Sequence, residues 1–407
     1  MRSVQDQLAA VLAAVGPVAP LDVVLTDASG TILAEDVIAS ADVPATPVAA
    51  CDGYAVATAD LYGADPHAAP VLPVVHDVLA GASSVLRLAP GQAVRIASGG
   101  PVPTGADAVI PAEQTDRGDV RVTLSRVPTP GENIRPAAVD VAHGQVALAA
   151  GIRLGARQLA VAAALGRRRL RVHPAPRVVI VSTGSELIEP GAPARDGGVY
   201  ESAGHALEVA VRDIGATPVR VGVVSDDRAL LREALEDQLV RADVMVTTGG
   251  LSEYAHDTLA DVLSPLGTVR FDHVAMTPGF RQGFGTVGGG TGAVPFFALP
   301  GHPVASMVGF ELFVRPALRA MAGHTDLFRP SVRAVADQGW ASPEGIRQFV
   351  PVAVSGSPTE GYRMTPVGDP AQWSIGGLAR ANALAVVGEQ DTVVEAGQTV
   401  PCLVLEG

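Results

Sequence analysis

Three short stretches put bare glycine backbone after an apolar run; two add hydroxyl or acidic side chains, and the third sets a Gly–His pair between two prolines. Val244-Met245-Val246 leads into Thr248, Gly249, Gly250 and Ser252. Val178-Val179-Ile180-Val181 leads into Ser182, Thr183, Gly184, Ser185 and Glu186. Phe296-Phe297-Ala298 leads into Leu299, Pro300, Gly301, His302 and Pro303. Glycine has no side chain to block a ligand and reaches positive φ freely. Backbone N–H groups at such turns suit an anion such as phosphate. Asp257 follows the first turn by a few residues, and Asp226-Asp227 ends a further apolar run. A carboxylate beside a phosphate repels it unless a cation lies between them. The pattern therefore points to a metal-assisted site for a phosphorylated substrate, with Asp226 a candidate for Mg2+ and Glu186 a carboxylate aimed into the cleft.

Plainer roles exist for the same residues. Ser185 can cap a helix with Glu186 in its first turn. Asp226 and Asp227 can form an N-cap pair for a helix starting at Arg228, and His302 can be a hydrogen-bonded loop residue between two rigid prolines. A second group lies elsewhere: Asp52 within CDGYAV, Ser98 within ASGGPVP, and Asp140. Asp-Gly and Ser-Gly-Gly are also ordinary turn sequences. Other chemistries are excluded by absence. No GxSxG elbow, HExxH or CxxC motif occurs, and a P-loop lysine is impossible because all 29 basic residues are arginine. Carboxylates and backbone cradles remain, which suits metal-dependent group transfer.

The elements that must hold these residues divide the 407 residues into four regions. An amphipathic helix with Val4, Leu8, Val11, Leu12 and Val15 on one face opens the chain. Short strands from Leu21 and Ile32 follow. Residues 44–143 read as a mostly-β domain. The helical stretch between Gly151 and Gly166 then returns the chain to the first region, making that region discontinuous (1–43 and 144–174). Residues 175–323 alternate strand and helix, with helices from about Ala203 to Ile214, Arg228 to Val240 and Val304 to Met321. Runs of β-branched residues mark strands covered on both faces, so this is a doubly wound α/β domain with a parallel core. Ligands in such sheets sit beyond the carboxyl ends of the strands, where all the glycine turns fall. Residues 324–407 read as a small antiparallel β domain or barrel. The run Arg167, Arg168, Arg169 and Arg171 reads as a solvated linker. A net charge of −13 argues against nucleic-acid binding. Two cysteines and the lack of a long apolar run argue for a cytoplasmic chain without disulfide framework or membrane span.

CDGYAV, RIASGGPVPTGADAVIPAEQ, GENIR, STGSEL, TTGGLS with Asp257, TPGFRQGFG, LPGHPVAS and LARANAL occur in this order. Together they resemble the molybdopterin molybdenumtransferases, the MoeA and gephyrin E-domain family, over nearly the whole chain. The resemblance implies four domains, the α/β one similar to the MogA type. It implies Mg2+-dependent insertion of molybdate into adenylyl-molybdopterin with release of AMP. It implies a homodimer whose cleft takes Asp52, Ser98 and Asp140 from one subunit and Glu186, Asp226 and Asp257 from the other. In that arrangement Glu186, Asp226 and Asp257 position metal and molybdate. Gly184, Ser185, Thr248, Gly249, Gly250, Ser252 and Pro300 to Pro303 hold phosphate and pterin. A transient contact with the molybdopterin adenylyltransferase that supplies the substrate also follows. The chain departs from the family pattern at Thr277, Phe280 and His273, where lysines are usual, with Arg281 next door. It departs again at Ala138-Val139 before Asp140, at Glu201-Ser202-Ala203-Gly204, in the loop Glu253 to His256, and at His302. These departures leave open a non-catalytic paralogue acting as carrier or scaffold.

Overall fold

The structure is a computed structural model and describes residues 1–61, 69–82, 86–251, 258–288 and 292–405. Its centre is a six-stranded sheet. In spatial order the strands are Thr217–Val224, Arg177–Thr183, Val244–Gly249, Val294–Leu299, Arg281–Val287 and Arg270–His273. The first four run parallel, Arg281–Val287 runs antiparallel to them, and Arg270–His273 runs antiparallel to Arg281–Val287. Successive side chains of a strand face opposite ways, and the cores follow that alternation. Val178, Ile180, Val244 and Val246 pack on one face with Leu207 and Val211 of helix Ala203–Asp213 and with Phe310 and Phe313. Val179, Val181 and Met245 pack on the other with Leu231 and Leu235 of helix Arg228–Leu239 and with Leu259. Each leucine wholly buried there contributes about 2 kcal/mol. Helix Val4–Ala14, capped by the Ser3 hydroxyl, brings Val4 and Val11 into the first of these cores.

The chain around residues 15–43 and 144–173 forms one unit. Leu21–Val24 pairs with Arg169–His173, which also pairs with Ile32–Leu33. The arginine run is therefore a linker only at Arg167 and Arg168; Arg169 and Arg171 belong to a strand, and all four are exposed. Arg169 and Arg171 alternate with buried Leu170 and Val172, so the cations lie on the wet face of a strand. Between the two halves, residues 44–140 make strand pairings only among themselves. Their main sheet has the order Ala108–Pro111, Gly53–Val56, Ala93–Ile96, Val71–Val78, Arg121–Thr123. Val37–Ile38 pairs with Val146–Leu148, and the Val43 N–H donates to the Val141 carbonyl at 2.8 Å, so the segment enters and leaves along one ribbon.

Near the C-terminus, Arg347–Ser357, Gly361–Pro366, Ser331–Ala336, Thr399–Val404 and Ala383–Val387 close into a five-stranded barrel, because the last pairs back with the first. One pairing, Ser331–Ala336 with Gly361–Pro366, is parallel, so the barrel is not wholly antiparallel. Among the described residues no helix is long and apolar enough to cross a membrane. Cys51 and Cys402 are free.

Candidate active site

The four parallel strands end at Thr183, Val224, Gly249 and Leu299 on one edge of the sheet. Hydrogen bonds between the turns lock that edge. The Gly184 N–H donates to the Val224 carbonyl at 3.0 Å. The Ser185 N–H donates to Asp226 Oδ2 at 2.8 Å, and the Asp226 N–H donates to Ser185 Oγ at 3.1 Å. The hydroxyls of Thr248 and Ser306 both donate to the Pro300 carbonyl, at 2.9 and 3.0 Å. Gly249 and Gly250 have φ of 87° and 68°. A Cβ on Gly249 would collide with the Thr183 carbonyl, and one on Gly301 would stand 3.3 Å from Gly249 Cα. Glycine is needed here because three backbones meet.

A cavity of about 130 Å³ opens at this edge, lined among others by Thr183, Glu186, Glu201, Thr248, Gly249 and Gly301. Ser185 caps no helix. Residues 184–187 form a turn into strand Leu187–Ile188, which pairs with Val199–Tyr200, and the next helix starts only at Ala203. Glu186 is consequently exposed, its carboxylate curled over Gly184. Of the two aspartates only Asp227 caps helix Arg228–Leu239, accepting from Ala229 and Leu230 N–H at 2.9 and 3.0 Å. Asp226 points its carboxylate at the Ser185 amide. His302 caps helix Pro303–Gly309, its Nδ1 accepting from the Val304 N–H at 3.3 Å, and its ring meets Trp373 edge-on at 5.5 Å. Desolvation holds the His302 imidazolium below the usual histidine range. Ser252 and Asp257 lie outside the described residues.

The other candidate residues sit in the 44–140 segment. Asp52 Oδ1 accepts from the Ser98 N–H at 2.7 Å, and Asp52 lines a cavity of about 740 Å³ with Arg95, Ala97 and Glu113. Asp140 holds Arg135 Nη2 through both oxygens, at 2.7 and 2.6 Å, and does not line that cavity. The two cavities share no lining residue, so Asp52 and Glu186 face different spaces within a single chain.

Glu201 also lines the smaller cavity. Its side chain is 1% exposed; Oε1 accepts from the Gly204 N–H at 2.6 Å, and Arg220 Nη1 stands 3.7 Å from Oε2. Oε2 and the buried hydroxyls of Ser182 and Thr183 have no hydrogen-bond partner. An acid three residues before a helical N–H reads as a cap, and nothing in the sequence distinguishes a cap from one that also lines a cavity. Phe280 stacks on His273, ring centroids 4.6 Å apart.

Among the described residues no group of three or more His, Cys, Asp or Glu side chains converges on a metal position. Magnesium asks for less: one or two carboxylates, the rest being water and substrate phosphate. Glu186 lines the cavity, and Asp226 stands on the neighbouring turn with Oδ2 accepting from the Ser185 N–H, so both are hard oxygen donors at this edge.

Fold and site define a multidomain α/β protein with a cleft of glycine turns at the carboxyl edge of its sheet. Three family models match: the MoeA N-terminal region (domain I and II) over residues 2–166, the probable molybdopterin binding domain over 179–320, and the MoeA C-terminal region (domain IV) over 333–405. Molybdopterin molybdenumtransferase 2 of Mycobacterium tuberculosis is 40% identical over 98% of both chains. Molybdopterin molybdenumtransferase 1 of the same organism is 37% identical, again over 98% of both. The crystal structure of a molybdopterin biosynthesis MoeA protein from Pyrococcus horikoshii superposes with a TM-score of 0.84 at 28% identity, covering 100% of this chain and 99% of that one. The chain belongs to the molybdopterin molybdenumtransferase (MoeA) family.

Proposed function

We propose that the protein acts in molybdenum cofactor biosynthesis, inserting molybdate into adenylyl-molybdopterin with release of AMP. What carries this reading is the 40% identity over 98% of the chain to a protein named for molybdenum transfer to molybdopterin, on a fold that keeps the glycine-turn edge intact. The amides of Gly249, Gly250 and Gly301 take the phosphate, and Thr183 and Thr248 face the pterin-bearing end. Glu186 and Asp226, joined by Asp257 on sequence grounds, would hold Mg2+, which when bound neutralises phosphoanhydride charge and makes AMP the easier leaving group. Asp52, Ser98 and Asp140 reach the same cleft from the second subunit of a homodimer. That Asp52 and Glu186 line different cavities of one chain supports that arrangement. Substrate arrives from the adenylyltransferase step by transient contact in the cytoplasm. The carrier reading is not favoured, because the near-full-length relatives carry a transferase name.

The test supplies purified protein with adenylyl-molybdopterin, molybdate and Mg2+. Release of AMP matched by formed cofactor is the expected result. Tight substrate binding with no AMP would replace the enzyme by a carrier.

A further inference from the structure

A third cavity, of about 910 Å³, lies away from both groups above. It is walled by the 27–31 loop, Arg153 and His173 of the discontinuous unit, by the end of helix Ala203–Asp213, and by helix Arg315–Met321 with the segment after it. Its volume is in the range that encloses a small-molecule ligand. Its lining is unusual for a chain of net charge −13. Arg153, Arg212, Arg315, Arg319 and Arg329 line it, against the carboxylates of Asp27 and Asp213.

Two of these arginines are occupied by protein. Arg329 is paired with Glu311 at 2.9 and 3.0 Å, and Arg212 with Glu208 at 2.7 Å. Arg319 is engaged at one end: its Nε donates to the Asp326 carbonyl at 2.5 Å, Arg319 Nη2 lies 3.3 Å from His324 Nδ1, and the Asp326 carboxylate, 86% exposed, stands 3.9 Å away and leaves the guanidinium without a close ion pair. Arg315 is 8% exposed, gives one bond to the Leu327 carbonyl at 3.1 Å, and leaves Nε without a hydrogen-bond partner, with Glu311 no closer than 3.7 Å. The Arg153 guanidinium makes no ion pair with a described residue, its Nη2 lying over the Gly30 turn.

We propose that this cleft is a second ligand site, taking a phosphorylated small molecule or a bare divalent oxyanion between Arg153, Arg315 and Arg319. Planar guanidinium forks match tetrahedral oxyanions through paired N–H bonds. The electrostatics agree. Burial and the neighbouring Arg319 and Arg153 push the His324 imidazolium down to about 4, with Asp326 opposing and Arg315 adding. Burial first, then Arg329, also holds Arg315 low. Cations held together against their mutual repulsion are relieved by an anion. The chemistry is shared by nucleotides, free phosphate and molybdate.

The imidazoles of His173 and His324, both lining this cavity, report occupancy by NMR in the full-length protein. Added inorganic phosphate is expected to shift both signals saturably and to raise the His324 pKa. Arg153→Ala, an exposed change, is expected to weaken binding on the order of tenfold, and Asp27→Asn to tighten it. ADP binding more tightly than phosphate identifies a phosphorylated metabolite. Phosphate and molybdate binding with no gain for ADP identifies a bare oxyanion. No saturable shift of either histidine, or equal affinity in Arg153→Ala, overturns the proposal and leaves the arginines as a brace between units.

Discussion

Glu186 and Gly249 show two ways a residue serves this cleft. Glu186 is exposed and curls over Gly184, so little stability depends on it. Glu186→Gln is expected to lower AMP release by about a hundredfold or more while the melting temperature stays within about a degree. Gly249 is the reverse case. Positive φ and the collision of any Cβ with the Thr183 carbonyl make Gly249→Ala cost about 2 kcal/mol or more in a urea melt. His302 gives a pH signature. Its cap bond from the Val304 N–H needs an unprotonated Nδ1, and its folded pKa lies below the usual 6.5. A base with depressed folded pKa lends full stability above its unfolded value and loses it as pH falls through the folded one. Stability is therefore expected to decline on acidification below about pH 6.5. His302→Asn, which keeps a cap acceptor without titrating, is expected to flatten that part of the profile. An unchanged slope would mean that the histidine carries no such linkage.

At the scale of elements, the glycine turns were readable because apolar runs of β-branched residues end at them. The four strand ends do meet on one edge. Two neighbouring features were not readable. The arginine run has the charge density of a solvent-facing linker, yet Leu170 and Val172 between and beyond its last cations are buried, and the strand they belong to pairs with two others. Ser185-Glu186 looked like a helix start because serine and glutamate favour one. Tertiary pairing of Leu187–Ile188 with Val199–Tyr200 overrides that preference. The proline loop depends on side-chain latches that no propensity describes. Ser306 Oγ lies 3.0 Å from both the Pro300 and His302 carbonyls, which share its single hydrogen. Ser306→Ala is expected to cost about 1 kcal/mol by calorimetry and to raise KM more than it lowers kcat. An effect on kcat alone would place Ser306 nearer the chemistry than a latch.

For the whole molecule, the return of the chain is visible in the pairing of Leu21–Val24 with Arg169–His173, whereas an arrangement between copies is not legible, since no single sequence records a neighbour. The shared-cleft arrangement makes a sharp demand. Asp52→Asn and Glu186→Gln proteins, each inactive, are expected to recover about a quarter of wild-type activity once mixed and allowed to exchange, because half the dimers then hold one intact cleft. Absence of recovery with exchange verified by mass would put both residues to work within one chain. The ribbon formed by residues 37–43 and 141–148 has its own consequence. The chain steps out and back through neighbouring positions, Val43 against Val141, so the intervening hundred or so residues amount to a cartridge. A two-residue reverse turn joining those positions would seal the socket, and the remainder would be expected to fold without it. Unrelated cargo fitted to the same pair of ends would hang from the enzyme without disturbing its barrel.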